Sequence, residues 1–294
     1  MIIIQLSGGL GNQMFQYALY RQMKAMGKDV KIDISSKYGK SDNRPIQLSF
    51  LHTKYEVASE KEILDMTDAH MDIISKVKRK VVGRKRLGYM EQDHLYDSKV
   101  WRLDHSYIEG CWQSEKYFAD VESEEKKAPN IKDILQKELQ VKEEFLSESC
   151  KAYEKEIQKS QAVSMHIRRG DYLASDVVSL YGNICTQEYY ENAMEKIKEQ
   201  VENPHFFIFT NDIPWASATY QGEEFTIVDC SDEDTGYQDL YLMSLCQHNI
   251  IANSSFSWWG SWLNKNPEKI VIAPNTWLNG RDCRDIYYAG MLVI

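Results

Sequence analysis

Apolar and polar positions follow two rhythms along this chain. Ile2, Ile3, Ile4 and Leu6 form a compact apolar run that predicts a buried strand, Ser7 to Gly11 predict a turn, and Asn12 to Met26 predict a helix ended by Gly27. Val30, Ile32 and Ile34 then alternate as a second strand does, which completes a strand-loop-helix-strand opening. The middle of the chain is less legible. Lys76 to Arg86 is strongly basic, Glu122 to Lys127 is a charge cluster, and Ile131 to Ser160 carries a charged helical pattern. Beyond Ser160 the rhythm returns, with strands expected at Ala162 to Ile167, Phe206 to Thr210, Phe225 to Val228, Asn249 to Ala252 and Lys269 to Ala273, and helices between them. This alternation predicts an α/β protein with a parallel sheet and a domain junction near Ser160, hence domains 1-160 and 161-294. Thr235 and Gln238 have capping-box spacing, so a helix is expected to start there with Asp239 in its first turn.

The composition narrows the class. The 294 residues are 43% hydrophobic and 27% charged with only 6 prolines, the balance of a folded protein with a sizeable core. A net charge of −9 argues against nucleic acid as a partner, so any anionic ligand must be met by local cations. Cys111, Cys150, Cys185, Cys230, Cys246 and Cys283 show no metal-ligand spacing, which fits a reducing compartment and no zinc site. The first residues lack a basic leader, and no stretch reaches the roughly 20 apolar residues of a membrane span. The expected location is therefore cytoplasmic. The run Lys76 to Arg86 reads either as a solvated face or as a peripheral contact with the inner face of an anionic membrane.

Three motifs carry candidate chemistry. Ser7-Gly8-Gly9-Leu10-Gly11-Asn12-Gln13 joins a strand to a helix, where backbone N–H groups and the helix dipole favour an anion. Met14 replaces the third glycine of a dinucleotide fingerprint and no P-loop lysine is present, so a nicotinamide or Walker reading is weak; a purely structural turn stays open. His166-Ile167-Arg168-Arg169-Gly170-Asp171-Tyr172 follows a strand and so falls at the sheet edge where open α/β proteins bind ligands. Asp171 either pairs one guanidinium structurally or leaves Arg168 to grip a diphosphate. Asn253-Ser254-Ser255-Phe256 precedes a helix, where the serines either cap it, bind phosphate oxygens, or both. The glycosylation sequon in that motif is discounted, because no secretory signal is visible. Asp232-Glu233-Asp234 follows a strand as metal-binding D-x-D motifs do, but acidic residues ahead of a helix also have a dipole reason, and Arg168 with Arg169 already supplies positive charge.

Taken together, Gly8 to Ala18, Gly110-Cys111-Trp112-Gln113-Ser114-Glu115-Lys116-Tyr117-Phe118, the arginine motif and Asn253 to Leu263 resemble the motif set of bacterial galactoside α-1,2-fucosyltransferases, glycosyltransferase family 11, over nearly the whole chain. The resemblance implies a GT-B-like fold of two Rossmann-type domains with a donor and acceptor cleft between them. The implied reaction is inverting transfer of L-fucose from GDP-β-L-fucose to the 2-hydroxyl of a terminal β-galactoside in surface-glycan synthesis, with no metal or other cofactor. Lactose, N-acetyllactosamine and a lipid-linked glycan are the acceptors considered. It further implies donor contacts from Gly9, Gly11, Asn12, Arg168, Arg169, Asp239, Ser254, Ser255 and Phe256. Arg168 is expected on the β-phosphate and Asp239 on the guanine N1 and N2 edge, and acceptor contacts are expected from Trp112, Gln113 and Glu115. Peptide O-fucosyltransferases carry an arginine where Gly9 stands, which argues against a folded-peptide acceptor. Inversion asks for a base near the acceptor hydroxyl. Asp171, His166, Asp176 and Glu115 are candidates, and no one of them is singled out.

Overall fold

The computed structural model describes residues 1–35, 44–70, 72, 80, 87–119, 130–169 and 178–294. They divide into two compact units, Met1–Ser49 with Thr53–Glu138, and Phe50–His52 with Leu139–Ile294. Each unit is built on its own parallel sheet covered by helices, so the expected α/β class and the two Rossmann-type sheets are both present.

The first unit runs β1 (Ile2–Gln5), α1 (Leu10–Ala25), β2 (Val30–Asp33), α2 (Glu60–Thr67), β3 (Gly88–Met90), β4 (Ser106–Glu109) and α3 (Lys132–Glu138), and its sheet has the order β2-β1-β4-β3. All four residues of β1 are buried, as a strand flanked on both sides requires. Helix α1 starts two residues earlier than the apolar pattern predicts. Gly9 is its N-cap in extended conformation, and Gly11 and Asn12 therefore stand in its first turn. It ends as expected: Gly27 takes φ +80°, and the Lys28 N–H turns back to the Met23 carbonyl at 3.0 Å. Ser59 and Glu62 form a reciprocal capping box that starts α2 and lets Ile63 and Met66 pack on Ile3 and Tyr107.

The second unit runs α4 (Glu148–Ile157), β5 (Gln161–Ile167), α5 (Val178–Tyr181), α6 (Gln187–Lys198), β6 (Pro204–Thr210), α7 (Ile213–Thr219), β7 (Phe225–Ile227), α8 (Tyr237–Leu245), β8 (His248–Ile250), α9 (Ser255–Leu263), β9 (Val271–Ala273) and β10 (Met291–Val293). The order is β10-β9-β8-β5-β6-β7, with every neighbouring pair parallel. All the carboxyl ends therefore share one edge, which is where an open parallel sheet receives ligands. Tyr189 of α6 anchors this core by donating to the Ile251 and Ile272 carbonyls at 2.6 and 3.2 Å.

The unit boundary falls at residues 138 and 139, ahead of the junction expected near Ser160. Helix α4 packs on α8, and the Ser147 N–H donates to Gln238 Oε1 at 2.8 Å, so the charged segment before β5 belongs to the second core. The Thr235/Gln238 capping box does not form. Gly236 is the N-cap of α8 and makes no side-chain cap, while Gln238 sends its amide to the Cys230 carbonyl at 2.9 Å. Asp239 does lie in the first turn of α8, as the spacing predicts.

Candidate functional site

At the carboxyl edge of the second sheet, β5 leads directly into Arg168 and Arg169. Arg169 is held on three sides: its backbone N–H donates to Asn211 Oδ1 at 3.0 Å, its Nε to Asp212 Oδ2 at 3.2 Å, and its guanidinium lies 3.9 Å over the Trp215 ring. Asp212 itself is fixed, because it caps α7 by accepting from the Trp215 N–H. Among the described residues Arg169 makes its ion pair with Asp212, a residue that follows the neighbouring strand. Two adjacent residues on an extended chain leave in opposite directions, so anchoring Arg169 sets the direction of Arg168, which is half-buried at the same edge. His166 lies buried within β5, its carbonyl accepting from Tyr190 Oη at 3.0 Å and its ring 5.7 Å from Phe256. Asp171, Asp176 and Gly170 lie outside the described residues.

The same edge carries Asp239 and the start of α9. Burial, reinforced by the nearby Asp229 charge, raises the Asp239 carboxyl to about 7 against an opposing hydrogen bond from Ser231. Its Oδ1 is buried and has no hydrogen-bond partner among the described residues. A carboxylate in that state is poised to accept two N–H donors. Ser254 is the N-cap of α9 and accepts from the Phe256 N–H at 3.4 Å, while Ser255 and Phe256 occupy the first helical turn. Tryptophans 258 and 259 bury the far face of α9 and fix its axis, with Trp258 Nε1 donating to the Ile286 carbonyl at 2.7 Å. Asn253 is structural: its amide nitrogen, which a sequon would modify, is buried and donates to the Tyr181 and Trp277 carbonyls. Asp232 closes an exposed turn by accepting from the Asp234 N–H and from the Thr235 N–H and hydroxyl, bonds that lower its pKa. Among the described residues no group of three His, Cys, Asp or Glu side chains is placed to hold a metal ion.

The glycine loop of the first unit is stitched from beneath. Gln13, fully buried, donates to the Gly8 and Pro45 carbonyls and accepts from the Gln47 N–H, all at 2.9 Å. Gln16 donates to the Gly110 carbonyl at 2.8 Å and accepts from the Ser7 N–H at 3.0 Å. Asn12 Oδ1 accepts from Gln113 Nε2 at 2.8 Å, which joins the first motif to the second. Gly9 has the Arg44 guanidinium beside it, 3.1 Å from where a Cβ would stand. Trp112, expected at the acceptor, is 0% exposed and packs against Tyr89 and Tyr117, so it supports the loop and offers no face to a sugar. Gln113 and Glu115 remain partly accessible, and Glu115 pairs with Lys132 at 3.0 Å.

Sequence reasoning missed Asp212 and Trp215, the partners of Arg169, although both follow β6 at the ligand edge. It also missed Glu91, whose buried carboxylate accepts from the Cys111 and Trp112 N–H groups and holds the second motif in place.

The profile of Glycosyl transferase family 11 matches residues 1–289. The chain belongs to that family. Among similar proteins of Escherichia coli, an alpha-1,2-colitosyltransferase is 32% identical to this family 11 glycosyltransferase, covering 94% of this chain and 92% of its own. The O-antigen biosynthesis glycosyltransferase WbnK is 29% identical, with coverage of 94% and 95%. Human galactoside alpha-(1,2)-fucosyltransferase 1 is 30% identical over 34% of this chain and 28% of its own.

Proposed function

We propose that this family 11 enzyme transfers L-fucose from GDP-β-L-fucose to the 2-hydroxyl of a terminal β-galactoside, with inversion and without a metal ion. The observation that carries the reading is the pairing, at one sheet edge, of Arg168 with the open carboxylate of Asp239. The first suits a diphosphate and the second suits the N1 and N2 donors of guanine. The N-terminus of α9, with the hydroxyls of Ser254 and Ser255 and the positive end of the helix dipole, adds a favourable place for phosphate oxygens. As GDP leaves, negative charge grows on the β-phosphate, and a fixed guanidinium there stabilises the transition state more than the ground state. Arg169 serves by orienting its neighbour. On the acceptor side, Gln113 and Glu115 contact the galactoside, while Gly9, Gly11 and Asn12 line the loop beside them.

A second reading is favoured by the colitosyltransferase relative. Colitose is fucose without its 3-hydroxyl. A site that hydrogen-bonds that hydroxyl rejects the deoxy sugar by about 10⁴-fold or more, whereas a merely roomy pocket discriminates by about 10²-fold or less. Surface-glycan assembly, a cytoplasmic location and a peripheral contact through Lys76 to Arg86 complete the proposal; no described helix is long and apolar enough to cross a membrane.

GDP release is to be measured in EDTA with GDP-fucose and GDP-colitose against a panel of β-galactosides, with the product linkage assigned by NMR. Faster turnover of GDP-fucose giving Fucα1-2Gal is expected. Preference for GDP-colitose moves the donor to the second reading, and dependence on added Mn²⁺ moves charge stabilisation to Asp232 and Asp234.

A further inference from the structure

The reaction above needs a carboxylate or imidazole at the acceptor hydroxyl, and the first sheet ends in a row of polar side chains. In the parallel register Gln5 pairs with Asp33, Ile4 with Ile108, and Met90 with Glu109. Gln5 and Glu109 therefore occupy the next rung of β1 and β4, side by side on one face at the carboxyl edge, with Asp33 on the other side of Gln5.

These groups differ in what they already hold. Asp33 is fully buried and accepts from the Ser35 N–H at 2.7 Å and Tyr107 Oη at 2.6 Å. Glu91, on the other flank, is taken by the Cys111 and Trp112 N–H groups, and Glu115 by Lys132. The Glu109 carboxyl is half-buried and accepts no hydrogen bond from the described residues. Gln5 is 5% exposed, yet its Nε2 has no partner among the described residues. A buried amide donor left unpaired is costly and points to a ligand oxygen that completes it. A sugar hydroxyl both donates and accepts one proton, and a carboxylate beside an amide N–H is its complement.

Resting on the function proposed above, we propose that Glu109 is the base for the acceptor hydroxyl and that Gln5 Nε2 holds that hydroxyl's oxygen. In the step, the acceptor oxygen forms a bond to fucose C1 and the bond from C1 to the β-phosphate oxygen breaks. That electron pair leaves with GDP, and the hydroxyl proton passes to Glu109. Burial holds the Glu109 carboxyl above the usual carboxylate range, which strengthens it as a base near neutral pH. The titratable groups nearest to it along the sheet are Tyr107 two residues before it on β4, Asp33 two strands away on β2, and Glu91, which follows its β3 partner Met90. On α2, Ile63 and Met66 pack against the sheet, and Glu62 is paired with Lys31.

The test is the Glu109→Gln enzyme, whose side chain keeps its shape and whose fold is read by thermal melting. With the better of GDP-fucose and GDP-colitose, kcat should fall at least tenfold, and about 10²- to 10⁴-fold on the usual scale for a positioned base. GDP affinity should stay within twofold, and the acid limb of the wild-type kcat profile at saturating donor should vanish. A loss below tenfold, or an acid limb that persists in Glu109→Gln, overturns the assignment while leaving the transferase reading intact. Wild-type inactivity with both donors overturns the two together. Gln5→Leu should raise the acceptor KM about tenfold with GDP affinity unchanged, and an unchanged KM removes Gln5 from the site.

Discussion

The glycine loop of the first unit and the carboxyl edge of the second are built from the same element, a turn after a parallel strand, yet they are finished in opposite ways. In the first, Gln13 and Gln16 hold the Gly8 carbonyl and the Ser7 N–H of the glycine loop from below, and Glu91 holds the neighbouring turn at Cys111 and Trp112. In the second, one arginine is clamped by Asp212 and Trp215, while Asp239 keeps a buried oxygen open and α9 begins with two serines. Closed polar networks make scaffold, whereas a buried carboxylate oxygen left open at a ligand edge is costly until a ligand meets it.

The comparison breaks first at Arg168. Arg168→Ala should lose about 3 kcal/mol or more of transition-state stabilisation in kcat/KM, the scale for removing a fixed group from developing charge. Near-wild-type turnover would detach the second edge from catalysis. Next comes the scaffold: Gln13→Ala strands the Gly8 and Pro45 carbonyls and the Gln47 N–H, and should cost about 2 to 3 kcal/mol of folding stability in urea titration.

Asp239→Asn should weaken GDP by about 2 kcal/mol while leaving ADP binding, already weak, nearly unchanged, as calorimetry can measure. Its raised carboxyl also has a stability signature. The folded state keeps this proton up to about 7, whereas the unfolded chain releases it near the ordinary 3.8, so the folded state binds more protons in between. Stability of the unliganded enzyme from this group should therefore fall as pH rises from about 4 to 7, and Asp239→Asn should remove that slope in thermal melts. GDP affinity should show the reverse trend, strengthening as the carboxylate ionises.

The smallest effect is expected at Arg169. Arg169→Ala gives up a half-exposed ion pair and a stacked guanidinium, about 1 kcal/mol of stability, with a loss of turnover smaller than that of Arg168→Ala. A larger loss than Arg168→Ala would exchange the two roles.

Much of this was already written along the chain. The apolar runs over Ile2 to Ile4, Ala162 to Ile167 and Phe206 to Phe209 specify buried parallel strands whatever surrounds them, because both faces must be covered. Gly27 ends its helix by a local conformational need, and the motifs themselves place the family chemistry after strands. Short strands in polar surroundings were not legible: β3, β4 and β10 have three or four residues each, too few for period-two alternation to stand out. Nor was the fate of individual polar groups. Trp112 is a typical sugar-stacking residue by type and a core residue by position, Arg169 finds Asp212 across 43 residues, and the Thr235/Gln238 box yields to Gly236 because Gln238 is drawn to Ser147 and Cys230. Hydrophobic pattern and backbone preference act over a few neighbouring residues and can be read from them. Whether a buried polar group is satisfied depends on partners far away in sequence, and only the folded chain decides which are closed and which, like Asp239 and the pair Gln5 and Glu109, are left open.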